Sequence, residues 1–310
     1  MVKNTISTAW KGALAISFSA ILWGLDGVVL TPNLHTLDVF FVVLMLHAIP
    51  FGLMSIFLPR EFRAIFQFSP KELFALFLAS LLGGAAGTIF IVKALFIIDF
   101  QPFTIVILLQ KLQPVFAITL AAILLKEKPG SKFLLWAGLA ISAGYFLTFG
   151  LNAPNFNANS TTLVAALFSL AAAFSFGSST VLSKMALQKI DFVTATFYRY
   201  GFTTLIMLIT VAFIGKFSTF HQVTDFQWII FLIIAVTTGS GAIMLYYYGL
   251  KKVKAIVATI CELFFPLSGI LFDYLFYGHQ LTYVQWISAA IMVFSILMLN
   301  KRPKSVDNAE

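Results

Sequence analysis

The chain of 310 residues is 60% apolar, 16% aromatic and 10% charged, with mean hydropathy +0.96 and a net charge of +8. Soluble domains carry about 45–50% apolar and about 25% charged residues, so an ordinary soluble enzyme, a disordered chain and a collagen-like chain are excluded. The apolar runs are long and continuous, unlike the short alternating segments of an outer-membrane barrel, and no soluble basic region supports nucleic-acid binding.

Ten apolar segments are expected, at about 10–31, 38–58, 72–97, 101–125, 132–150, 160–187, 192–214, 226–250, 254–277 and 280–299. Each approaches the roughly 20 residues that a helix needs to cross a bilayer. The first follows Lys3 and Lys11, as a signal peptide would, but runs on past Asp26 to Leu30 and reads as a spanning helix. Turn signals separate the segments: Thr31-Pro32-Asn33, Pro59-Arg60, Ser69-Pro70, Lys128-Pro129-Gly130, the 152–159 stretch and Gly278. The single cysteine, Cys261, permits no intrachain disulfide and reads as a small core residue.

With the N-terminus inside, 16 of the 20 Lys and Arg residues fall on the cytoplasmic side and only Lys216 on the other. The remaining three, Lys93, Lys111 and Arg199, lie within segments. Cytoplasmic loops carry such an excess, so both termini are expected to be cytoplasmic. Five helices per half is an odd number, so a duplicated half must re-enter with opposite topology, a common transporter architecture. The halves are 1–151 and 152–310, together forming one integral membrane domain. Pro114 matches Pro266, and His47 matches Arg199, at an offset of 152. Gly83-Gly84 with Ala94-Leu95 matches Thr238-Gly239 with Gly249-Leu250 at an offset of 155.

Four stretches stand out: Trp23-Gly24, Gln113-Pro114-Val115-Phe116-Ala117 with Leu125-Lys126-Glu127, Pro266 with Tyr277-Gly278-His279, and Arg199. In these the sequence resembles the EamA type of the drug/metabolite transporter superfamily, over residues 10–300. The family often has an acid after the proline helix of each half. Glu127 fits this pattern, whereas His279 stands where the second acid is expected. The resemblance implies two five-helix halves, a central cavity, a bacterial inner membrane and movement of a small metabolite, with an amino acid or related compound as cargo.

Charged groups inside a membrane cost about 2.5–3.5 kcal/mol on insertion scales and survive where they face protein or water. Lys111 and Glu262 lie at comparable depth in the repeat-related fourth and ninth segments, each near a proline, with Gln110 and Gln113 beside Lys111. They read either as contacts for substrate or a coupling proton, or as a buried ion pair between the halves. Trp23 and Asp26 share a helical face and read as a cavity wall, or as headgroup contacts. Tyr246-Tyr247-Tyr248 spans too wide an arc for all three to face one cavity; Tyr246 and Tyr247 are the candidates. His47 and Arg199 are coupling or structural candidates, Arg199 with the alternative of snorkelling to the interface. Lys93, Asp99 and Asp273 read as interfacial. Gly83-Gly84-Ala85-Ala86-Gly87 reads as a close helix contact, and Asn159-Ser160-Thr161 fits a glycosylation sequon.

No Walker loop, CxxC, HExxH or GxSxG is present. The expectation is an all-α secondary transporter of a small polar or amphipathic metabolite, working by alternating access, possible proton coupling included. It is expected to need no cofactor or metal and to be no enzyme. A membrane-embedded lipid flippase or lipid-modifying transferase is the alternative. The expected partners are the substrate and the lipid bilayer, with no nucleic acid; a homodimer is left open.

Overall fold

A computed structural model describes residues 2–99, 105–154 and 160–300. Lys301, Arg302, Lys304 and the sequon residue Asn159 lie outside them, as does the side chain of Lys3. The described residues are helical, with no strand. In chain order the helices are α1 (Val2–Leu25), α2 (Val39–Phe57), α3 (Pro70–Ala79), α4 (Gly87–Ile97), α5 (Ile105–Gln110), α6 (Gln113–Leu124) and α7 (Ser131–Phe149). They continue as α8 (Ser160–Leu187), α9 (Phe192–Phe213), α10 (Asp225–Ile234), α11 (Ser240–Lys252), α12 (Ala255–Cys261), α13 (Phe264–Tyr277) and α14 (Tyr283–Asn300). Among the described residues, eight helical stretches are long and apolar enough to cross a membrane. Two shorter apolar helices, Leu108–Leu124 and Tyr283–Leu299, occupy the fourth and tenth expected segments.

Local chemistry sets the helix starts. The Asp38 carboxylate accepts from the Phe40 and Phe41 N–H groups at 3.0 and 3.3 Å, and Asp191 accepts from Val193 N–H at 3.0 Å. Ser69 with Glu72, and Thr224 with Gln227, form reciprocal capping boxes. Each cap satisfies backbone donors that the first helical turn leaves unpaired. Asp38 and Asp191 are 153 positions apart, and Ser69 and Thr224 are 155 apart.

The interruptions recur in the same way. A π turn over Ser80–Ala86 joins α3 to α4, and another over Ala235–Gly239 joins α10 to α11. In the first, Thr88 Oγ1 donates to the Gly83 carbonyl at 3.2 Å; in the second, Ser240 Oγ donates to the Ala235 carbonyl at 2.7 Å. A third π turn, Asp26–Leu30, ends the first long stretch.

The fourth and ninth segments break at Lys111–Leu112 and Glu262–Leu263. Pro114 and Pro266 have no N–H to offer the carbonyls of Gln110 and Glu262. The backbone tightens in response: Lys111 N–H bonds the Leu108 carbonyl at 3.1 Å, and Phe265 N–H bonds the Glu262 carbonyl at 2.9 Å.

Small residues bring the broken helices against their neighbours. A Cβ on Gly177 of α8 would lie 2.9 Å from the Gln113 carbonyl oxygen and 3.0 Å from Ala117 N. A Cβ on Gly249 of α11 would lie 2.5 Å from the Gly12 carbonyl oxygen of α1. Gly83 and Gly84 pack directly on Ser179, Arg199 and Thr203. Outward-facing Phe57, Phe213 and Tyr283 are largely exposed, as suits surface solvated by lipid tails.

Candidate functional site

The two helix breaks face each other across a cavity of about 40 Å³. Gln110, Lys111 and Gln113 line it from the α5–α6 side, and Thr259, Glu262 and Phe265 from the α12–α13 side, with both break prolines in its wall. An interrupted helix puts polar side chains and freed carbonyls at mid-depth, where an unbroken helix presents only apolar surface.

Glu262 is held by neutral donors from three other helices. Gln113 Nε2 donates to Oε2 at 2.5 Å; Tyr246 OH and Thr180 Oγ1 donate to Oε1 at 2.7 and 3.3 Å. With the Tyr246 proton on Glu262, the Thr180 hydroxyl divides its one proton between the Tyr246 oxygen at 2.9 Å and the more distant carboxylate. Lys111 takes no part in this network. No ion pair joins it to Glu262, and its ammonium has no hydrogen-bond partner among the described residues. The buried ion pair read as one alternative from the sequence is therefore corrected. Gln113, two residues further on, reaches Glu262, while Lys111 lies at the break beside the cavity. Thr259 Oγ1, fully buried at the same cavity, has no hydrogen-bond partner either.

The aromatic candidates divide in two. The Tyr246 ring packs against Trp23 with centroids 5.3 Å apart, so α1 closes one side of the Glu262 network. Tyr247, fully buried, shares a 2.7 Å hydrogen bond with Ser183 and accepts from Arg199 Nη1 at 3.0 Å. Tyr248 points away, against Phe192 and beneath the Lys252 ammonium. Helical geometry explains the division: successive side chains turn by about 100°, so two neighbours can enter one core while the third leaves it.

Arg199 does not snorkel. It is buried, donates to Ser179 Oγ at 3.0 Å as well as to Tyr247, and lies over the Tyr247 ring. Ser179 in turn donates to the Ala79 carbonyl at 2.8 Å, tying α3, α8, α9 and α11 together. Those partners are remote in sequence, and two hydroxyl acceptors at Nη1 with the Tyr247 ring hold the guanidinium inside the protein rather than at the interface. His47 bonds the Val43 carbonyl of its own helix at 2.8 Å and lies 5.3 Å from the Tyr200 ring. Asp26 accepts from Thr31 Oγ1 at 3.1 Å within its own turn. His279 bonds Asp273 at 2.8 Å on the exposed surface. Lys93 lies 5.0 Å from the Phe168 ring.

Sequence reasoning missed Thr259 and Phe265 at the cavity, Thr180 on Glu262, Ser179 on Arg199 and Ser183 on Tyr247. The polar run Ser178-Ser179-Thr180, with Ser183 one turn on, inside an apolar helix was the available signal for three of them. Thr259 and Phe265 carry no charge or spacing that separates them from packing residues.

The EamA-like transporter family pattern matches residues 10–149 and again residues 163–301. The chain belongs to this family. It is an integral membrane transporter of the EamA type, as the motifs around Pro114 and Pro266 led us to expect. It is 49% identical over 292 residues to the riboflavin transporter ImpX of Fusobacterium nucleatum subsp. nucleatum, covering 94% of this chain and 98% of that one. It is also 29% identical over 198 residues to an uncharacterized transporter of Archaeoglobus fulgidus, covering 62% of this chain and 64% of the relative. A solved crystal structure shares the fold, with TM-score 0.74, 15% identity, and coverage of 95% and 98% of the two chains.

Proposed function

We propose that this EamA-family transporter carries riboflavin, or a closely related planar heteroaromatic metabolite, across a bacterial cytoplasmic membrane. The observation that carries the reading is the polar cavity between the two helix breaks, in a chain matched almost end to end by a riboflavin transporter. The amino-acid expectation gives way to a flavin because that match extends over 94% of the chain. Lys111 and Thr259 offer donors that have no partner among the described residues to cargo carbonyls or ring nitrogens, while Phe265 in the cavity wall, and Trp23 with Tyr246 behind Glu262, supply aromatic surface. Glu262 holds the cargo together with Gln113, and is the group at this site suited to carrying a coupling proton.

The same proposal includes ten spans in two inverted halves, 1–151 and 152–310, with both termini cytoplasmic. The charge asymmetry supports the orientation. The recurrence of caps, π turns and proline breaks at offsets of 151 to 155 supports the repeat. The cavity of about 40 Å³ is far below the roughly 300–1,000 Å³ of small-molecule pockets. Cargo therefore enters when the halves rock apart, which is alternating access. Counterflow of labelled riboflavin in proteoliposomes tests the reading: unlabelled flavins should compete and amino acids should not. Riboflavin-independent counterflow of an amino acid would replace the cargo.

A further inference from the structure

The helix that carries Thr259 and ends at Glu262, α12, is capped from outside itself. Its N-cap residue, Lys254, has extended backbone and supplies no side-chain cap. The Ala255 and Ile256 N–H groups that follow belong to buried residues, so water cannot readily satisfy them. Both donate to Glu127, at 3.0 Å to Oε1 and 3.0 Å to Oε2. Elsewhere the capping side chains are local, since Asp38, Ser69, Asp191 and Thr224 each cap the helix that follows them. At α12 the cap comes from a residue 128 positions earlier, in the loop after α6.

The loop is bent for this contact. Lys126 has φ +55°, a left-handed backbone conformation that residues other than Gly, Asn, Asp and His rarely adopt. The Glu127 N–H reaches back to the Ala121 carbonyl at 3.1 Å, which turns its side chain toward α12. Beneath the contact, Ala121, Val181, Ala255 and Ile256 form a buried apolar cluster. α12 is seven residues long. Its start is fixed by Glu127 and its end opens into the cavity at Glu262.

We propose that Glu127 is a positioning residue of the site: it caps α12 across the halves and sets where α12 holds Thr259 and, at its C-terminal end, presents Glu262. Releasing its carboxylate frees two buried donors and lets α12 draw away from α6, which opens the cavity wall. This extends the cargo-site reading above, but its test needs no cargo and stands or falls separately.

Cys261, the sole cysteine, is buried at the end of α12 beside Glu262 and serves as the reporter. The rate of its modification by N-ethylmaleimide is measured on the full-length protein in liposomes. Loss of an N-cap corresponds to about 2- to 30-fold in an opening equilibrium, so Glu127→Ala should label faster by that factor. Lys126→Pro, whose φ is fixed near −65°, should accelerate labelling similarly. Asp38→Ala, which removes a cap from α2, should label at the wild-type rate. If Glu127→Ala does not fold, Glu127→Gln keeps one acceptor oxygen and should give a smaller acceleration. A folded Glu127 variant that labels at the wild-type rate overturns the proposal. Equal acceleration by Asp38→Ala, which would mean general loosening, also overturns it.

Discussion

The Tyr246 hydroxyl donates to the Glu262 carboxylate at 2.7 Å, while the adjacent Tyr247 hydroxyl accepts from Arg199 at 3.0 Å. Two neighbouring phenols thus connect the buried acid at the helix break to the buried guanidinium of α9. Neither charged group has an oppositely charged partner within ion-pair range among the described residues. Neutral hydroxyls and amides provide the solvation that water gives elsewhere.

Tyr246→Phe removes one donor from Glu262 and leaves Gln113 and Thr180 in place. A lost hydrogen bond costs about 0.5–3 kcal/mol, the upper end applying to charged acceptors. The variant should remain folded, melt at a lower temperature in detergent and show a raised KM for transport. An unchanged melting temperature and KM would mean that the contact carries no weight.

Lys111 and Glu262 should behave as independent groups. Breaking a buried ion pair on one side costs about 3–5 kcal/mol, and neutralising both sides restores stability. Here Lys111→Met alone should leave the melting temperature nearly unchanged, and adding it to Glu262→Gln should rescue neither stability nor transport. A double variant clearly more stable than Glu262→Gln would show that the two charges do pair.

Much of the fold was legible because long apolar runs, prolines and positively charged loops leave direct marks in sequence. Pro114 and Pro266 signal the interruptions at Lys111–Leu112 and Glu262–Leu263, since a missing N–H weakens the helix one turn earlier, although Pro50 sits inside an unbroken α2. The partners of Glu262 were less legible. Thr180 and Tyr246 come from other helices and carry no charge, so no spacing rule links them to position 262. Arg199 looked like an interfacial residue because depth was counted along one helix, whereas Ser179 and Tyr247 meet it only after packing. Glu127 was recognised as a family position, but its partners are backbone N–H groups, which every residue except proline has.

Arg199 offers a contrast between losing charge and losing volume. Arg199→Met leaves Tyr247 bonded to Ser183, and Ser179 bonded to Ala79, with no carboxylate stranded. It keeps most of the side chain's packing and should destabilise less than truncation to alanine. Arg199→Ala empties the site and should cost about 2–5 kcal/mol, as large-to-small core changes do. Thermal melts of both variants check the order. Equal losses would show that the guanidinium itself holds α9 in place.

The orientation is open to direct labelling. In a Cys261→Ser background, single cysteines replace Gly130 and Leu151, both exposed at opposite ends of α7. An impermeant thiol reagent added outside intact cells should label position 151 and spare position 130. The reverse pattern would invert the topology.

The most direct test of flavin passage is riboflavin counterflow in proteoliposomes, comparing the wild-type protein with Lys111→Met. Wild type should exchange labelled riboflavin saturably. The folded variant should lose about tenfold in KM-normalised rate, equivalent to about 1.4 kcal/mol of cargo interaction. Riboflavin exchange at the same rate in Lys111→Met, or none by the wild-type protein, would contradict the claim that a flavin passes between the two helix breaks.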